Sequence, residues 1–387
     1  MQFLIFLFAI TAVFCQDIHK DFQKSNDLFA SSLYKEILKN NKYNGKNLLI
    51  SPLSAETVLA LAQSGCRDET AQEIRSVLHL PNDQTKIQNL YKTVLPTLDI
   101  HSANKIYVKE KFPVLPDFKK IASEVFHADC KNIDFSKKDE AAGIINQWVE
   151  EQTNNKIRDL ISPDILNDRT RLVLVNAVHF KGHWSIPFPP TATFEENFYT
   201  GKAEVRKIET MHNQIGRKYL YFECPHLNAK FLELPFENNA SMTFILPNNK
   251  NGLASLEKQI DRVLISHNLT RELVEVSLPK FAIESTFEFK DILKNLGVSK
   301  AFDETEADLS GIAGNKGDLI IDSVNQKTFV KVEEGGVEAA AATSGIIPIP
   351  PSPIVEPSKH FKADHPFLFY IKINGVIGFV GRFLTPN

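Results

Sequence analysis

Residues 332–357 read VEEGGVEAAAATSGIIPIPPSPIVEP, and this stretch decides which kind of fold suits the chain. It opens with acidic residues and two glycines, continues with small uncharged residues, and ends in a segment rich in proline. Small side chains can enter a β-sheet without a clash, whereas proline stays out of central strands because it has no N–H. The stretch is therefore either a short Ala-rich helix followed by a surface loop, or a peptide that can slide between strands.

The sequence on either side of this stretch predicts β-structure. The run at 318–332 is long and strand-like, and 366–383 reads as two strands around the turn Asn374-Gly375. Further upstream, 171–180 (RLVLVNAVHF) is almost continuously apolar and β-branched. Such a run is typical of a strand that is buried on both faces.

Helical patterns concentrate in the first 152 residues. Residues 22–40 and 139–152 each place apolar side chains on one helical face, and a further helix begins near Ser54. Thr70 with Glu73 three residues later predicts a capping box that starts a helix over 70–80. Helices early and strands late indicate an α+β fold with a large mixed sheet.

Composition excludes several function classes. The 387 residues are 43% apolar and 24% charged, which allows a large core and excludes intrinsic disorder. The formal net charge is −3 and no run of Lys or Arg stands out, so we expect no nucleic-acid partner. A heparin-type basic stripe is also missing, so a polysaccharide cofactor is not expected.

The N-terminal stretch 1–15 (MQFLIFLFAITAVFC) predicts a secretory signal peptide, which leaves 16–387 as a single domain. A membrane anchor is the alternative, but the run is shorter than the ~20 residues that a span needs. Secretion makes Asn239 and Asn268 candidate N-glycosylation sites, because both begin acceptable sequons. Cys66, Cys130 and Cys224 are odd in number and cannot all pair within the chain, so their state stays open.

The sequence contains no recognisable catalytic motif. The chain has no G-x-S-x-G, G-x-G-x-x-G or phosphate-binding loop, and no C-x-x-C. His179 and His183 are four residues apart but lack the intervening Glu of a zinc-hydrolase helix, so we predict no metal and no cofactor. A hydrolase with a dispersed triad is a third and weaker hypothesis.

Five sequence blocks follow one another along the chain. They are Ser51, Pro52, Ser54, Gly65, Thr70 and Ile74; Asn176-Ala177, Phe180-Lys181-Gly182 and Trp184; Leu278-Pro279-Lys280-Phe281; 307–312 (ADLSGI); and Asp364-His365-Pro366-Phe367 with Gly381-Arg382. In this order the blocks resemble the serpin family of serine-protease inhibitors. The resemblance implies three β-sheets, about eight or nine helices and an exposed reactive-centre loop at about 334–360. It also implies a non-catalytic protein in which a protease cuts the loop, and the cut hinge inserts into the large sheet.

In the family alignment, 334–343 form the hinge of that loop. The hinge residues are Glu334, Gly336, Val337, Glu338, Ala339, Ala340, Ala341, Ala342 and Thr343. Strand alternation puts Val337, Ala339, Ala341 and Thr343 on one face, with Glu338 on the other. The shared face is small or β-branched throughout, which favours insertion and hence inhibition.

The family spacing gives two positions for the cut bond. Counting forward from the hinge places it at Pro350–Pro351, which ordinary serine proteases should not cut. Counting back from Phe361 places it between residues 352 and 356, with Ile354 or Val355 as the leading specificity residue. An aliphatic residue there would suit an elastase-like protease.

The resemblance also assigns residues beneath the large sheet. Its middle (the shutter) and upper end (the breach) would contain Ser51, Ser54, Asn176, Trp184 and Gln326. Gln326 stands where many serpins have histidine, and its amide can still donate and accept hydrogen bonds. The sequence thus predicts a secreted, monomeric inhibitor without a membrane partner. A non-inhibitory serpin that acts as a carrier or storage protein is the alternative.

Overall fold

Two β-sheets with nine α-helices around them make up the part of the chain that the structure describes. The computed structural model describes residues 2–200, 204–214, 216–338 and 359–386, and for 2–16 and His101 the backbone alone. Several predicted loop residues lie outside the described residues: Ala339, Ala340, Ala341, Ala342, Thr343, Pro350, Pro351, Ile354 and Val355.

The helices and strands in chain order have the following bounds. The helices are α1 (Gln2–Lys39), α2 (Pro52–Gly65), α3 (Asp68–Val77), α4 (Gln84–Val94), α5 (Pro116–Phe126), α6 (Lys138–Gln152), α7 (Leu253–Glu257), α8 (Ile260–Leu264) and α9 (Lys290–Leu296). The strands are β1 (Leu48–Ile50), β2 (His101–Lys109), β3 (Asp129–Ile133), β4 (Leu172–His179), β5 (Gly182–His183), β6 (Thr193–Tyr199), β7 (Val205–His212), β8 (Lys218–Cys224), β9 (Ala229–Pro235), β10 (Ala240–Pro247), β11 (Thr270–Pro279), β12 (Phe281–Glu288), β13 (Ser323–Glu333), β14 (Gly336–Val337), β15 (Lys359–Lys362), β16 (Phe367–Ile373) and β17 (Val376–Phe383).

The seven-stranded sheet contains the site. Its order is β3-β2-β4-β13-β14-β5, with β12 along the other edge of β13. β13 runs parallel to β4 from Ser323 to Phe329 and then pairs with β14 at Val332 and Glu333. All eight residues of β4 are buried, as the continuous apolar run predicted. We call the point where β13 leaves β4 for β14, between Phe329 and Val332, the sheet fork.

The ten-stranded sheet consists of two limbs that share β11. Its order is β1-β17-β16-β10-β9-β8-β11-β7-β6, and β15 pairs with β11. The first half of β11 pairs with β8, and the second half pairs with β7 and with β15. These two limbs and the seven-stranded sheet correspond to the three sheets expected, so the predicted α+β fold class is confirmed.

Two details of the predicted elements are wrong. The helix expected to start at Thr70 begins at Asp68, and its N-cap, Arg67, makes no side-chain cap. Thr70 instead accepts a hydrogen bond from the Asp308 backbone, and Glu73 accepts bonds from the backbone N–H groups of Ser299 and Lys300. The strand expected from residue 318 begins at Ser323, since 318–322 form a turn and loop. In both places tertiary hydrogen bonds override the local pattern.

Hairpin chemistry closes the C-terminal pair of strands as expected. Asn374 (φ 49°) and Gly375 (φ 82°) both adopt positive φ between β16 and β17. A two-residue hairpin turn of this type needs positive φ at both positions, which Asn and Gly accept at low cost. The predicted turn is therefore confirmed.

Candidate functional site at the sheet fork

The loop hinge already begins a strand at the sheet fork. Gly336 and Val337 form β14, which pairs antiparallel with β13 on one side and with β5 on the other. Val337 is fully buried in the main hydrophobic core. Gly336 has φ 147°, and a Cβ added there would lie 2.0 Å from the carbonyl oxygen of Gly182. Only glycine lets the hinge approach β5 this closely.

A buried tryptophan lies against the chain that enters β14. The backbone N–H of Trp184 donates to the carbonyl oxygen of Gly335 at 3.0 Å, and its indole Nε1 donates to the carbonyl oxygen of Glu333 at 3.0 Å. The ring stacks on Phe236 with 4.4 Å between ring centroids. Trp184 is therefore hydrogen-bonded on both its N–H groups to the chain that leads into the hinge.

The acidic residue before the hinge is anchored from two neighbouring segments. The carbonyl oxygen of Glu334 accepts a hydrogen bond from Phe188 N–H at 2.9 Å, and its carboxylate lies 3.2 Å from Nζ of Lys280. Partial burial raises the pKa of Glu334, but its hydrogen bonds and the Lys280 charge outweigh burial and leave that pKa below the ordinary value. The carboxylate is therefore charged at neutral pH.

Glu338 is the last hinge residue that the structure describes. Its N–H donates to the carbonyl oxygen of Lys331 at 2.9 Å, which continues the ladder, but its φ of 50° turns the chain out of extended geometry. Its carboxylate is buried, with Oε2 at 3.6 Å from Nδ1 of His179 and 3.8 Å from Nζ of Lys156. Its side chain thus meets β4 and the linker after α6, whereas Val337 enters the core.

Gln326 lies at the centre of a buried polar network under the middle of the sheet. Its Oε1 accepts from Ser51 N–H at 3.0 Å, while its Nε2 donates to Ser51 O at 2.9 Å and to Asn176 Oδ1 at 2.6 Å. Asn176 Nδ2 in turn donates to Ser54 Oγ and to Asn104 Oδ1. The amide of Gln326 thus joins β13, β4 and the start of α2 without a titrating group.

Sequence reasoning missed two members of this network. Asn104 in β2 accepts from Asn176 at 2.5 Å, and Ser102 Oγ lies 2.6 Å from Ser54 Oγ. The available signal was a polar residue two positions before the apolar run Ile106-Tyr107-Val108, but this run was not predicted as a strand. A buried asparagine can be recognised from the sequence only after the strand that contains it has been predicted.

The predicted glycosylation sites and cysteines have clear surroundings. Asn239, in the turn before β10, and Asn268, in the connection before β11, are both exposed. Cys66, Cys130 and Cys224 are free and buried. Burial raises the pKa of both the Cys66 and the Cys130 thiols to about 12, so these two thiols are unreactive at neutral pH.

The described ranges contain no candidate metal site and no candidate membrane span. Within them, no group of three or more His, Cys, Asp or Glu side chains is arranged to hold a metal ion. Nor does any helix in those ranges combine the length and apolar character that a membrane crossing requires.

The geometry of the sheet fork would allow the hinge to extend as a further strand. A strand that continues β14 would run antiparallel to β13 and would have to separate β13 from β4. That movement would break the ladder between Ser323 and Phe329 and the hydrogen bond from Gln326 to Asn176. The new strand would supply replacement ladder bonds on both sides.

Comparison with known proteins identifies relatives along the full chain. A family model described as Serpin (serine protease inhibitor) matches residues 24–386. Alaserpin of Manduca sexta is 36% identical over 100% of both chains, and the leukocyte elastase inhibitor of Homo sapiens is 33% identical over 94% of this chain and 98% of its own. The crystal structure of Serpin48, a highly specific serpin of the insect Tenebrio molitor, is 50% identical with a TM-score of 0.89, covering 95% of this chain and 99% of that one.

Proposed function

This chain belongs to the serpin family, and from that premise we propose that it is a secreted, monomeric protein that traps a serine protease as a covalent suicide substrate. The serine hydroxyl of the protease attacks the scissile carbonyl of the loop at 334–360. The peptide bond breaks, the new N-terminus leaves as an amine, and an acyl ester joins the two proteins. The freed hinge then inserts into the seven-stranded sheet and carries the acylated protease with it.

One observation supports inhibition most directly. The hinge starts its strand at the sheet fork, with Gly336 and Val337 already paired on both sides. Insertion after cleavage then extends an existing ladder of backbone hydrogen bonds, so no new strand has to be nucleated. A hinge that begins with small residues at this position favours an inhibitor over a carrier or storage protein.

An elastase-like target is the specificity that the loop favours. Ile354 or Val355 would present an aliphatic side chain to the protease, and several relatives are named leukocyte elastase inhibitor. Those names describe the relatives, and for this chain the elastase-like target rests on the aliphatic residues of the loop.

Secretion is supported by three features of the chain. The apolar stretch at 1–15 has the length and composition of a signal peptide, and 16–387 would form the mature single domain. Asn239 and Asn268 are exposed, as glycan acceptors must be.

A denaturing gel tests the proposed function. The full mature chain is incubated with trypsin-like, chymotrypsin-like and elastase-like proteases. We expect an SDS-stable band near the summed mass with at least one protease, most strongly with the elastase-like enzyme. Cleavage in the loop without any such band, for all three enzymes, would favour the carrier or storage alternative.

A further inference from the structure

An aspartate ties β13 to β4 at the end of the seven-stranded sheet that lies opposite the sheet fork. Asp322 immediately precedes β13, and its Oδ2 accepts hydrogen bonds from the backbone N–H groups of Arg171 and Leu172, at 2.6 and 3.0 Å, where β4 begins. The N–H of Asp322 also donates to the carbonyl oxygen of Leu172 at 2.9 Å. We call these hydrogen bonds between Asp322 and residues 171–172 the basal clasp.

Both partners in the basal clasp are anchored to neighbouring elements. On the β13 side, Nζ of Lys290 in α9 donates to the carbonyl oxygen of Asp322 at 3.1 Å. On the β4 side, the carbonyl oxygen of Arg171 accepts from the N–H of Lys109 in β2 at 2.8 Å, and its guanidinium donates to the carbonyl oxygen of Gly317 at 3.1 Å. The basal clasp therefore joins two well-supported parts of the sheet.

A loop that inserts into the sheet would end beside the basal clasp. β14 pairs antiparallel with β13, with Val337 opposite Val332. A strand that continues β14 in this register would place Ile346 opposite Ser323, the first residue of β13. Ser323 pairs with β4 in the intact sheet, and Asp322 is the residue that follows along the path of insertion.

The basal clasp cannot persist when that position is filled. Neighbouring strands lie about 4.8 Å apart, so a strand that enters between β13 and β4 moves them to about 9.6 Å apart. A hydrogen bond joins N and O atoms about 2.9 Å apart, and an aspartate side chain has only one methylene group with which to bridge the remaining gap. All the hydrogen bonds of the basal clasp must therefore break before Ile346 joins the ladder.

The moment at which these bonds break matters because the acyl ester can hydrolyse while insertion is under way. Insertion proceeds from the sheet fork, so it reaches the basal clasp only after it has opened the whole ladder between β13 and β4. The pull on an attached protease is greatest when insertion is complete. A delay at this last step gives hydrolysis more time to release an active protease and a cut serpin.

We propose that Asp322 is a positioning residue that delays the completion of insertion through the backbone of β4, and so raises the number of serpin molecules consumed per protease trapped. The proposal rests on the proposed function, because only an inhibitor that inserts its loop has this step. The residue acts after the loop has been cut. It should therefore affect how acylated chains divide between trapping and release, and leave the rate of attack on the loop unchanged.

Asp322→Asn tests the proposal with little change in side-chain shape. A neutral amide oxygen accepts hydrogen bonds more weakly than a carboxylate, so the basal clasp opens more readily. The quantity to compare is the number of serpin molecules consumed per protease trapped, minus one, obtained by titration of protease activity. We expect this excess to fall about fivefold, as a faster last step would produce. The initial rate at which intact chain disappears on a denaturing gel should not change.

Asp318→Asn is the matched control. Oδ2 of Asp318 accepts hydrogen bonds from the N–H and Nδ2 of Asn315, within its own turn, so this change should alter neither the excess nor the initial rate. A purely structural Asp322 would lower the urea midpoint of Asp322→Asn and leave the excess at the parental value. That result would overturn the proposal, as would an equal effect of Asp318→Asn.

A second measurement separates this proposal from the proposed function. If the parent traps no protease with any enzyme, the proposed function fails. The basal clasp is then judged by how fast the chain becomes heat-resistant after its loop is nicked, and this measurement also decides the case in which the parent consumes one serpin per protease. We expect Asp322→Asn to gain heat resistance about fivefold faster than the parent and than Asp318→Asn. Equal rates in all three would overturn the proposal.

Discussion

Thr343 would meet Gln326 if the loop inserts. β14 pairs antiparallel with β13, with Val337 opposite Val332. If the loop continues this strand, each later loop residue pairs with a β13 residue one position earlier, so Thr343 lies opposite Gln326. Gln326 is fully buried and already hydrogen-bonded on both its amide atoms. The position therefore accepts a small side chain with a hydroxyl and disfavours a large or charged one.

We expect Thr343→Arg to convert the inhibitor into a substrate. An unpartnered charge beside Gln326 costs several kcal/mol, so insertion stalls after cleavage and the acyl ester hydrolyses. A denaturing gel should show cut chain without an SDS-stable complex. Ile347→Arg is the matched control, since its register falls beyond Ser323, where β13 begins, and it should still trap protease. Equal trapping by both variants would refute the register.

Glu56 is a second buried acid, remote from the hinge. It lies on α2 and accepts hydrogen bonds from Asn26 on α1 and from Tyr91 on α4, both at 3.1 Å. Burial raises its pKa from 4.5 to about 8, although these two hydrogen bonds oppose the increase. Near neutral pH the side chain is therefore mostly a protonated acid shared among three helices.

Stability should fall with pH because of Glu56. The folded state keeps a proton that the unfolded state has already released above about pH 4.5, so this group's contribution is full below that pH and is lost as pH rises through about 8. We expect Glu56→Gln to reduce the decrease in the urea unfolding midpoint between about pH 4.5 and about pH 8. Glu124→Gln, an exposed change on α5, should leave the slope unaltered, and a flat profile in the parent would contradict the prediction.

The length of β13 sets how much loop the sheet can accept. In the same register, Ser323 at the start of β13 would pair with Ile346, so Pro348 falls past the end of the strand. The prolines that would interrupt a central strand therefore remain outside the ladder. The segment between the sheet and a bond cut after Ile354 or Val355 would be slack, and a slack tether compresses a captured protease less.

We accordingly expect an inhibitor of moderate efficiency. A sizeable fraction of encounters should end with cut, released serpin, so that more than one serpin is consumed per protease trapped. Titration of protease activity measures this ratio, and mass spectrometry of the released peptide locates the cut. A ratio near one with cleavage after Ile354 or Val355 would show that slack is harmless. Cleavage at or before Ile349 would show that the bond was misplaced.

Elements with a strong local pattern could be predicted, whereas those defined by distant partners could not. The buried strand β4 and the Asn374-Gly375 turn follow from residue types alone. The start of α3 does not, because Thr70 and Glu73 bond to residues more than 220 positions away. The same limit applies at the site: Gln326 was identified by resemblance, but Asn104 and Lys156 become relevant only when β2 and the α6 linker are in place.

At the scale of the whole molecule, the proposed mechanism requires that an incomplete sheet stores the driving force for capture. The pairing of β13 with β4 ends at Phe329, and beyond it the described part of the chain places two residues of β14 between β13 and β5. A full strand there would add ladder hydrogen bonds and bury further apolar surface. If the proposed mechanism holds, the intact chain is held above its lowest free energy by a kinetic barrier.

Nicking should therefore stabilise the protein. We expect chain cut within 346–358 to resist heat far better than the intact chain, because the cut lets 338–346 join the seven-stranded sheet. Scanning calorimetry of both forms measures the difference. Cleavage next to the exposed Lys20, near the start of the proposed mature chain, provides a control that should leave the transition unchanged. Equal transitions for loop-cut and intact protein would favour the carrier or storage alternative.

The ten-stranded sheet also determines what becomes of the severed C-terminal piece. β16 lies between β10 and β17, β17 also pairs with β1, and β15 pairs with β11. A peptide whose strands pair with the rest of the chain inside a sheet does not dissociate when the covalent link between the two pieces is cut. The product is a two-chain protein held by fragment complementation, which migrates as one particle in a native gel and separates only in denaturant. The short piece is thus a permanent subunit of the spent inhibitor.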